Sequence, residues 1–469
     1  MTPLTVLIVA CLVCNDTNSV SSLDRPTAGT RNTVEWEGEQ YSSVSADTSL
    51  RPEQTMPAGV EVAYLDRSMQ YLLNAHEAWY KRGNAHFVVG RLEKAIEAYD
   101  RALQYEPKFD QAWHNRGVAL AAQGHYEEAL QSYARAIELQ SGRAVVWYHR
   151  GIALIRLHRF SEALAAFDRT LQLEPAHYKA ARHRGVVLFA RGRYAAALAA
   201  YDLALKHKPD HYPAWQNRGN VLLKLGRAEE ALQSYNRVLR HQPEHEAIWQ
   251  SRGDALSQLG RNRDAVASYD RALELNPDEA EAWRLRGASL AALGRYRDAV
   301  SSYDRALERN PEEAQTWNGR GVALALLGRD DDARQAFQQA IVLAPHAWQA
   351  AFNWGMFVYE RGHTDEAIAL WQKSLAVDAS ANAPRMALAV ALYVNGNLPD
   401  GLRNATTALT NNPQYAQLKF VRQQFGSNRL MADARTLFAN PEMAALLDQI
   451  ERGEALANQR SQPSPRPFS

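Results

Sequence analysis

The chain has 469 residues, 46% of them hydrophobic and 22% charged, with a formal net charge of +1. That balance supplies enough apolar material for a long core and excludes the strong basic excess with which nucleic-acid binders hold phosphate, so no nucleic-acid partner is expected. No apolar run reaches the roughly 20 residues a membrane-crossing helix needs, so no integral membrane span is expected.

Residues 1–57 begin with an apolar tip, Leu4 to Cys14, followed by a polar Ser/Thr-rich segment that reads as disordered. Ile8-Val9-Ala10-Cys11 resembles a bacterial lipoprotein cleavage box, yet no lysine or arginine precedes the tip. The location stays open between cytoplasmic and secreted or lipid-anchored through Cys11. Cys11 and Cys14 are the only cysteines, which excludes a disulfide framework for the rest of the chain. Residues 58–75 predict an N-terminal cap helix.

From His76 to Tyr415 one 34-residue pattern runs ten times in unbroken register. Apolar or small residues at positions 4, 8 and 11 (Trp113, Gly117, Leu120) form one stripe of an amphipathic helix. A glycine at position 15 (Gly124, Gly192, Gly226, Gly260, Gly294, Gly328) stops it. A second stripe occupies positions 20, 24 and 27 (Ala231, Tyr235, Val238), and a proline at position 32 closes the unit. Each unit is therefore helix–turn–helix, and the whole is a solenoid of stacked units. The third, fourth, ninth and tenth units are degraded, with His158 at the turn position, Ala181 and Ala351 for tryptophan, and little more than Gly396, Ala408 and Pro413 in the last. Residues 416–457 predict capping helices (Ala416 to Phe425, Leu430 to Leu437), and 458–469, with Pro463, Pro465 and Pro467, a flexible tail.

This pattern resembles the tetratricopeptide repeat (TPR) family over about 340 residues, in a Trp-x-x-Arg-Gly variant like that of cyanobacterial arrays. The resemblance implies an all-α, right-handed superhelical solenoid. Departures recur at position 11, usually leucine, and at position 7, arginine in eight successive units (Arg82 to Arg320). Those arginines are expected to pair with the recurring position-25 acids Asp100, Asp168, Asp202, Asp270 and Asp304 within or between units, the alternative being a cationic track for an acidic partner.

The sequence holds no phosphate loop, zinc-protease motif or nucleophile elbow, so no catalytic residue, cofactor or metal is expected. His114, His149 and His183 fall on one wall without a carboxylate or thiolate to complete a ligand set. In the family, positions 2, 5, 6, 9, 12 and 13 of the first helix line a concave peptide groove. The resemblance therefore implies an exposed groove containing Tyr80, Asn84, His114, Asn115, Tyr148, His149, Lys179, Arg182, His183, Asn217, Asn220 and Lys224. Asparagines there suit a peptide backbone, and Lys179, Arg182 and His183 suit an acidic segment. The carboxylate clamp of chaperone-binding relatives is incomplete. Asn84 and Asn115 are present, but Tyr80, Val145 and His149 stand where cations are needed. The expected function is a non-catalytic protein–protein interaction scaffold with a protein or peptide partner. The alternatives are a regulatory or targeting subunit that recruits a separate enzyme, and a lipid-anchored envelope assembly factor.

Overall fold

The computed structural model describes residues 75–461. The apolar tip with Cys11 and Cys14, the polar segment, nearly all of the expected leading cap and the end of the C-terminal tail lie outside them. The chain divides into two compact units at Arg240 and His241. Among the described residues there is no strand, and no helix is long and apolar enough to cross a membrane.

The first unit contains five helix pairs: α1 (Ala75–Val88) with α2 (Leu92–Tyr105), α3 (Asp110–Ala122) with α4 (Tyr126–Leu139), α5 (Ala144–Arg156) with α6 (Phe160–Leu173), α7 (Tyr178–Ala190) with α8 (Tyr194–His207), and α9 (Tyr212–Lys224) with α10 (Ala228–Leu239). The second continues with α11 (Glu246–Gln258) and α12 (Asn262–Leu275), α13 (Ala280–Ala292) and α14 (Tyr296–Arg309), and α15 (Ala314–Leu326) and α16 (Asp330–Leu343). Its last two pairs are α17 (Gln349–Glu360) with α18 (Thr364–Val377) and α19 (Asn382–Val394) with α20 (Leu398–Asn411). A short 3-10 turn at Pro413–Ala416 leads into α21 (Leu418–Phe425), α22 (Asn428–Phe438) and α23 (Pro441–Ser461).

Within a pair, the position-8 glycine and the position-24 aromatic set the helix separation. A Cβ on Gly117 would lie 2.6 Å from Tyr133, one on Gly151 2.5 Å from Phe167, and one on Gly185 2.6 Å from Tyr201. The aromatic ring therefore packs directly against bare backbone, and any side chain at the glycine would force the ring or the helix to shift. Position-20 alanines (Ala95, Ala129, Ala163, Ala197, Ala231) are fully buried beside it. The second unit repeats this with Gly287 against Tyr303 and Gly321 against Phe337. The turn between helices needs a left-handed residue: Gly124 has φ 86°, and His158, where the third repeat lacks glycine, is held at φ 57°.

Successive repeats are joined by the position-7 arginine. Arg116 on α3 donates from Nε to Asp100 on α2 at 2.6 Å and from Nη1 to Ser132 on α4 at 2.8 Å. Its guanidinium also lies 5.9 Å from the Trp113 ring centre, one turn back on the same helix. Three helices thus meet at one planar cation. The same joint recurs at Arg218 (Asp202, Ser234, Trp215) and Arg286 (Asp270, Ser302, Trp283), while Arg184 and Arg320 pair with Asp168 and Asp304. The expected pairing is therefore formed between repeats, sixteen positions apart. Where Ala134 replaces the acid, Arg150 turns to Glu162 at 3.9 Å. The tryptophan adds a tie of its own, because Trp113 Nε1 donates to the Pro107 carbonyl at 2.9 Å and Trp283 Nε1 to Pro277 at 2.8 Å.

Gly185→Ala should cost about 2 kcal/mol in urea unfolding, because overpacking (about 1–3 kcal/mol) exceeds the helix-propensity gain of about 1 kcal/mol. His158→Gly should instead add about 1 kcal/mol by relieving the left-handed side chain. Arg286→Ala should cost about 1–3 kcal/mol, since it removes packing and two hydrogen bonds. Asp270→Asn should cost less than about 1 kcal/mol, because this carboxylate is nearly half exposed and water screens the pair. Equal losses for the last two variants would show the charge pair, rather than the arginine's packing, to hold the joint.

Candidate functional site

All twelve candidate groove residues fall on the first helices of the first unit, α1, α3, α5, α7 and α9. Their exposure differs from the expectation. His114, Asn115, Tyr148, His149, Arg182, His183 and Asn217 are buried; Tyr80, Asn84, Lys179 and Asn220 are partly buried; only Lys224 is exposed. The correction has a packing cause. Adjacent first helices come close enough for side chains at positions 5 and 6 to meet those of the next repeat, so these residues form the floor of the face rather than projecting from it.

That floor is a chain of polar contacts. Tyr99 donates its hydroxyl to Asn84 Oδ1 at 2.8 Å, and Asn115 Nδ2 donates to Asn84 Oδ1 at 2.9 Å and to the Tyr80 hydroxyl at 3.0 Å. Next, His114 Nε2 and His149 Nδ1 stand 2.8 Å apart, sharing one hydrogen, with the rings stacked at 5.1 Å. Arg182 Nη2 donates to His183 Nε2 at 3.0 Å, which leaves His183 Nδ1–H to donate to the Lys179 carbonyl at 2.9 Å. Tyr235 closes the series by donating to Asn220 Oδ1 at 2.7 Å. Asn217 Nδ2 is buried without an acceptor among the described residues.

The tyrosine hydroxyls of position 24 were missed as part of this face, although the sequence carries their signal. Where position 9 is Asn or Asp (Asn84, Asn220, Asp254), position 24 of the same repeat is tyrosine (Tyr99, Tyr235, Tyr269), and the two are hydrogen-bonded. Where position 24 is Phe167, Phe337 or Trp371, position 9 is apolar: Ile152, Val322 or Met356. A buried hydroxyl gains from an acceptor, and a ring without a hydroxyl does not need one. The rule runs one way only, because Tyr133, Tyr201 and Tyr303 stand in repeats whose position 9 is Val118, Val186 and Ala288.

In the second unit the corresponding face of α17 and α19 is occupied by the chain itself. Tyr359 donates to Asp433 on α22 at 2.6 Å, Ser427 and Asn428 donate to the Glu360 carboxylate at 3.0 Å each, and Arg429 bonds the Tyr359 carbonyl and Thr364. Leu430, Ala434 and Leu437 are fully buried in the same cluster as Met386 and Val390. Here the groove positions are apolar because they form part of a core.

Burial holds both central histidines neutral. It pushes His149 down to about 4, with His177 and Lys179 adding repulsion, and His114 well below its usual value, with His149 and Arg143 adding to it. Among the described residues no three His, Cys, Asp or Glu side chains are grouped to hold a metal ion.

Family models described as tetratricopeptide repeat match residues 72–144, 148–212, 289–347 and 352–416 in one case, more than half of the chain, and residues 188–255 in another. A third, described as TPR repeat, matches residues 253–294. No curated protein matches. Among solved structures, the chain is similar to YrrB, a TPR protein with an unusual peptide-binding site, at 21% identity over 40% of this chain and 96% of that one, with TM-score 0.38. A tetratricopeptide repeat protein from Parabacteroides merdae shares 20% identity over 53% and 99% of the two chains (TM-score 0.40). MamA from Desulfovibrio magneticus shares 20% over 36% and 96% (TM-score 0.35).

The depressed histidines carry a pH signature. An unfolded histidine takes a proton near pH 6.5, while folded His149 waits until about 4. Between those values the unfolded chain binds more protons, so stability is full above pH 6.5 and falls as pH drops toward 4. The slope reaches about 1.4 kcal/mol per pH unit for each histidine. His149→Phe should make the pH dependence of the urea midpoint distinctly shallower; an unchanged slope would exclude the pair as its source.

Proposed function

Because the chain belongs to the tetratricopeptide repeat family, we propose that it is a non-catalytic interaction scaffold whose first unit holds a partner segment along the faces of α1, α3, α5, α7 and α9. One observation carries this reading. These faces carry a polar floor rimmed by more exposed side chains (Tyr80, Asn84, Lys179, Asn220, Lys224), whereas the matching face of α17 and α19 is filled by residues 427–438. A floor already organised by hydrogen bonds costs little to order when a ligand arrives. Asn220 keeps its amide donor for a peptide carbonyl while its oxygen is held by Tyr235.

Quantitative affinity capture with the full chain tests it. The wild type is compared with Asn220→Ala/Lys224→Ala on the first-helix face and with Gln131→Ala/Arg135→Ala on the second-helix surface. The expected result is a partner retained by the wild type and by the second-helix variant, and depleted about tenfold by the first. Depletion by the second-helix variant alone would move the site to the opposite surface.

A further inference from the structure

We infer that the partner segment of the first unit is acidic; the inference rests on the groove reading above and specifies its ligand. Helices α5, α7 and α9 contain no aspartate or glutamate. Arg150, Arg184 and Arg218 on them serve the joints, with their guanidinium groups directed to Glu162, Asp168 and Asp202 of second helices. Two lysines, Lys179 and Lys224, remain on groove positions of α7 and α9, whose own residues offer them no carboxylate. The charged or titratable neighbours bearing on the buried histidine pair are likewise basic: Arg143, His177 and Lys179. The carboxylate at this end of the face, Asp110 on α3, is engaged by Arg143 at 2.5 Å.

The second unit makes the contrast. Its groove-position cation Arg284 is clamped by Glu281 of the same helix through two hydrogen bonds, and Asp254 accepts from Tyr269. There, the cation Arg284 is neutralised within the helix that bears it; Lys179 and Lys224 have no carboxylate on their own helices. A low-dielectric floor of neutral histidine, tyrosine and asparagine beneath these lysines strengthens their field toward a bound anion. Asn217 Nδ2 gives an independent indication. This donor belongs to a side chain on a residue only 6% exposed and lacks an acceptor among the described residues, and a buried donor is normally paired. A carboxylate or a peptide carbonyl supplies what it lacks.

A random twelve-residue peptide library displayed against the immobilised full chain decides the matter. The enriched pool should be richer in aspartate and glutamate than the input. A fluorescein-labelled member should lose about tenfold or more in affinity for Lys179→Glu/Lys224→Glu and should bind more weakly as salt rises. Lys94→Glu/Lys206→Glu, an equal change of net charge placed on second helices α2 and α8, should lose far less. Lys179→Gln/Lys224→Gln, which removes charge without reversing it, should give an intermediate loss, and thermal melts of each variant identify any that misfold. Enriched peptides that are neutral or basic, yet are lost with Asn220→Ala, would overturn the acidic ligand while leaving the groove reading in place. A library from which nothing is enriched would overturn both.

Discussion

The contact between a bare glycine at position 8 and an aromatic ring at position 24 is the constraint on which this architecture depends. Added Cβ atoms would fall 2.5–2.9 Å from the facing ring in Gly83, Gly117, Gly151, Gly185, Gly287 and Gly321, so these helix pairs are held at the separation that direct contact of the ring with bare backbone sets. The α19/α20 pair, with Ala389 and Ala405 at the two positions, is the exception. Glycine in mid-helix sacrifices propensity, about 1 kcal/mol relative to alanine. The fold recovers it through the large buried aromatic that faces each of these glycines. Within each unit this shared contact places successive first helices alike, so that a recurring joint to the next repeat becomes possible.

That joint is made by an arginine rather than by apolar packing alone. In its complete form, at Arg116, Arg218 and Arg286, the guanidinium serves a carboxylate of the preceding repeat, a serine of its own second helix and the face of its own tryptophan. The planar, delocalised cation can do all three at once, which a lysine ammonium cannot. The serine participates fully, since its hydroxyl accepts from the arginine and donates to a carbonyl one turn back, as Ser302 does to Asp298. Charge is thereby consumed on the side of the first helix that faces the joint. The opposite side is left to differ from repeat to repeat: a polar floor beside Lys179 and Lys224 in the first unit, a face filled by the chain's own C-terminal helices at α17 and α19 of the second.

Much of this was legible in the residues. The register, the two helices of each repeat, the left-handed turn and the arginine–aspartate pairing all arise from recurrence at fixed spacing, because the contacts concerned lie within about one period of sequence. The exposure of the groove was not legible. Tyr148, His149 and His183 read as side chains displayed to a ligand, whereas they are buried against neighbouring first helices. Pattern alone gives the direction in which a side chain leaves its own helix, not how near the next helix lies. The pairs Asn84 with Tyr99 and Asn220 with Tyr235 were present in the letters, but with Val118, Val186 and Ala288 also preceding tyrosines they acquire meaning only when the hydroxyl and the amide are seen to touch.

By itself, then, the sequence determined the family, the repeat and the chemistry of its joints, since a 34-residue period restates the same short-range contacts ten times and leaves few alternatives. Tertiary structure decided the state of the first-helix faces. His114 meets His149 across 35 residues of chain, Arg429 reaches Thr364 across 65, and Tyr359 reaches Asp433 across 74. Contacts at such separations depend on distances between helices rather than on the periodicity of any one of them. For that reason the face of the first unit is a buried polar floor with a cationic rim, and that of α17 and α19 is a closed core.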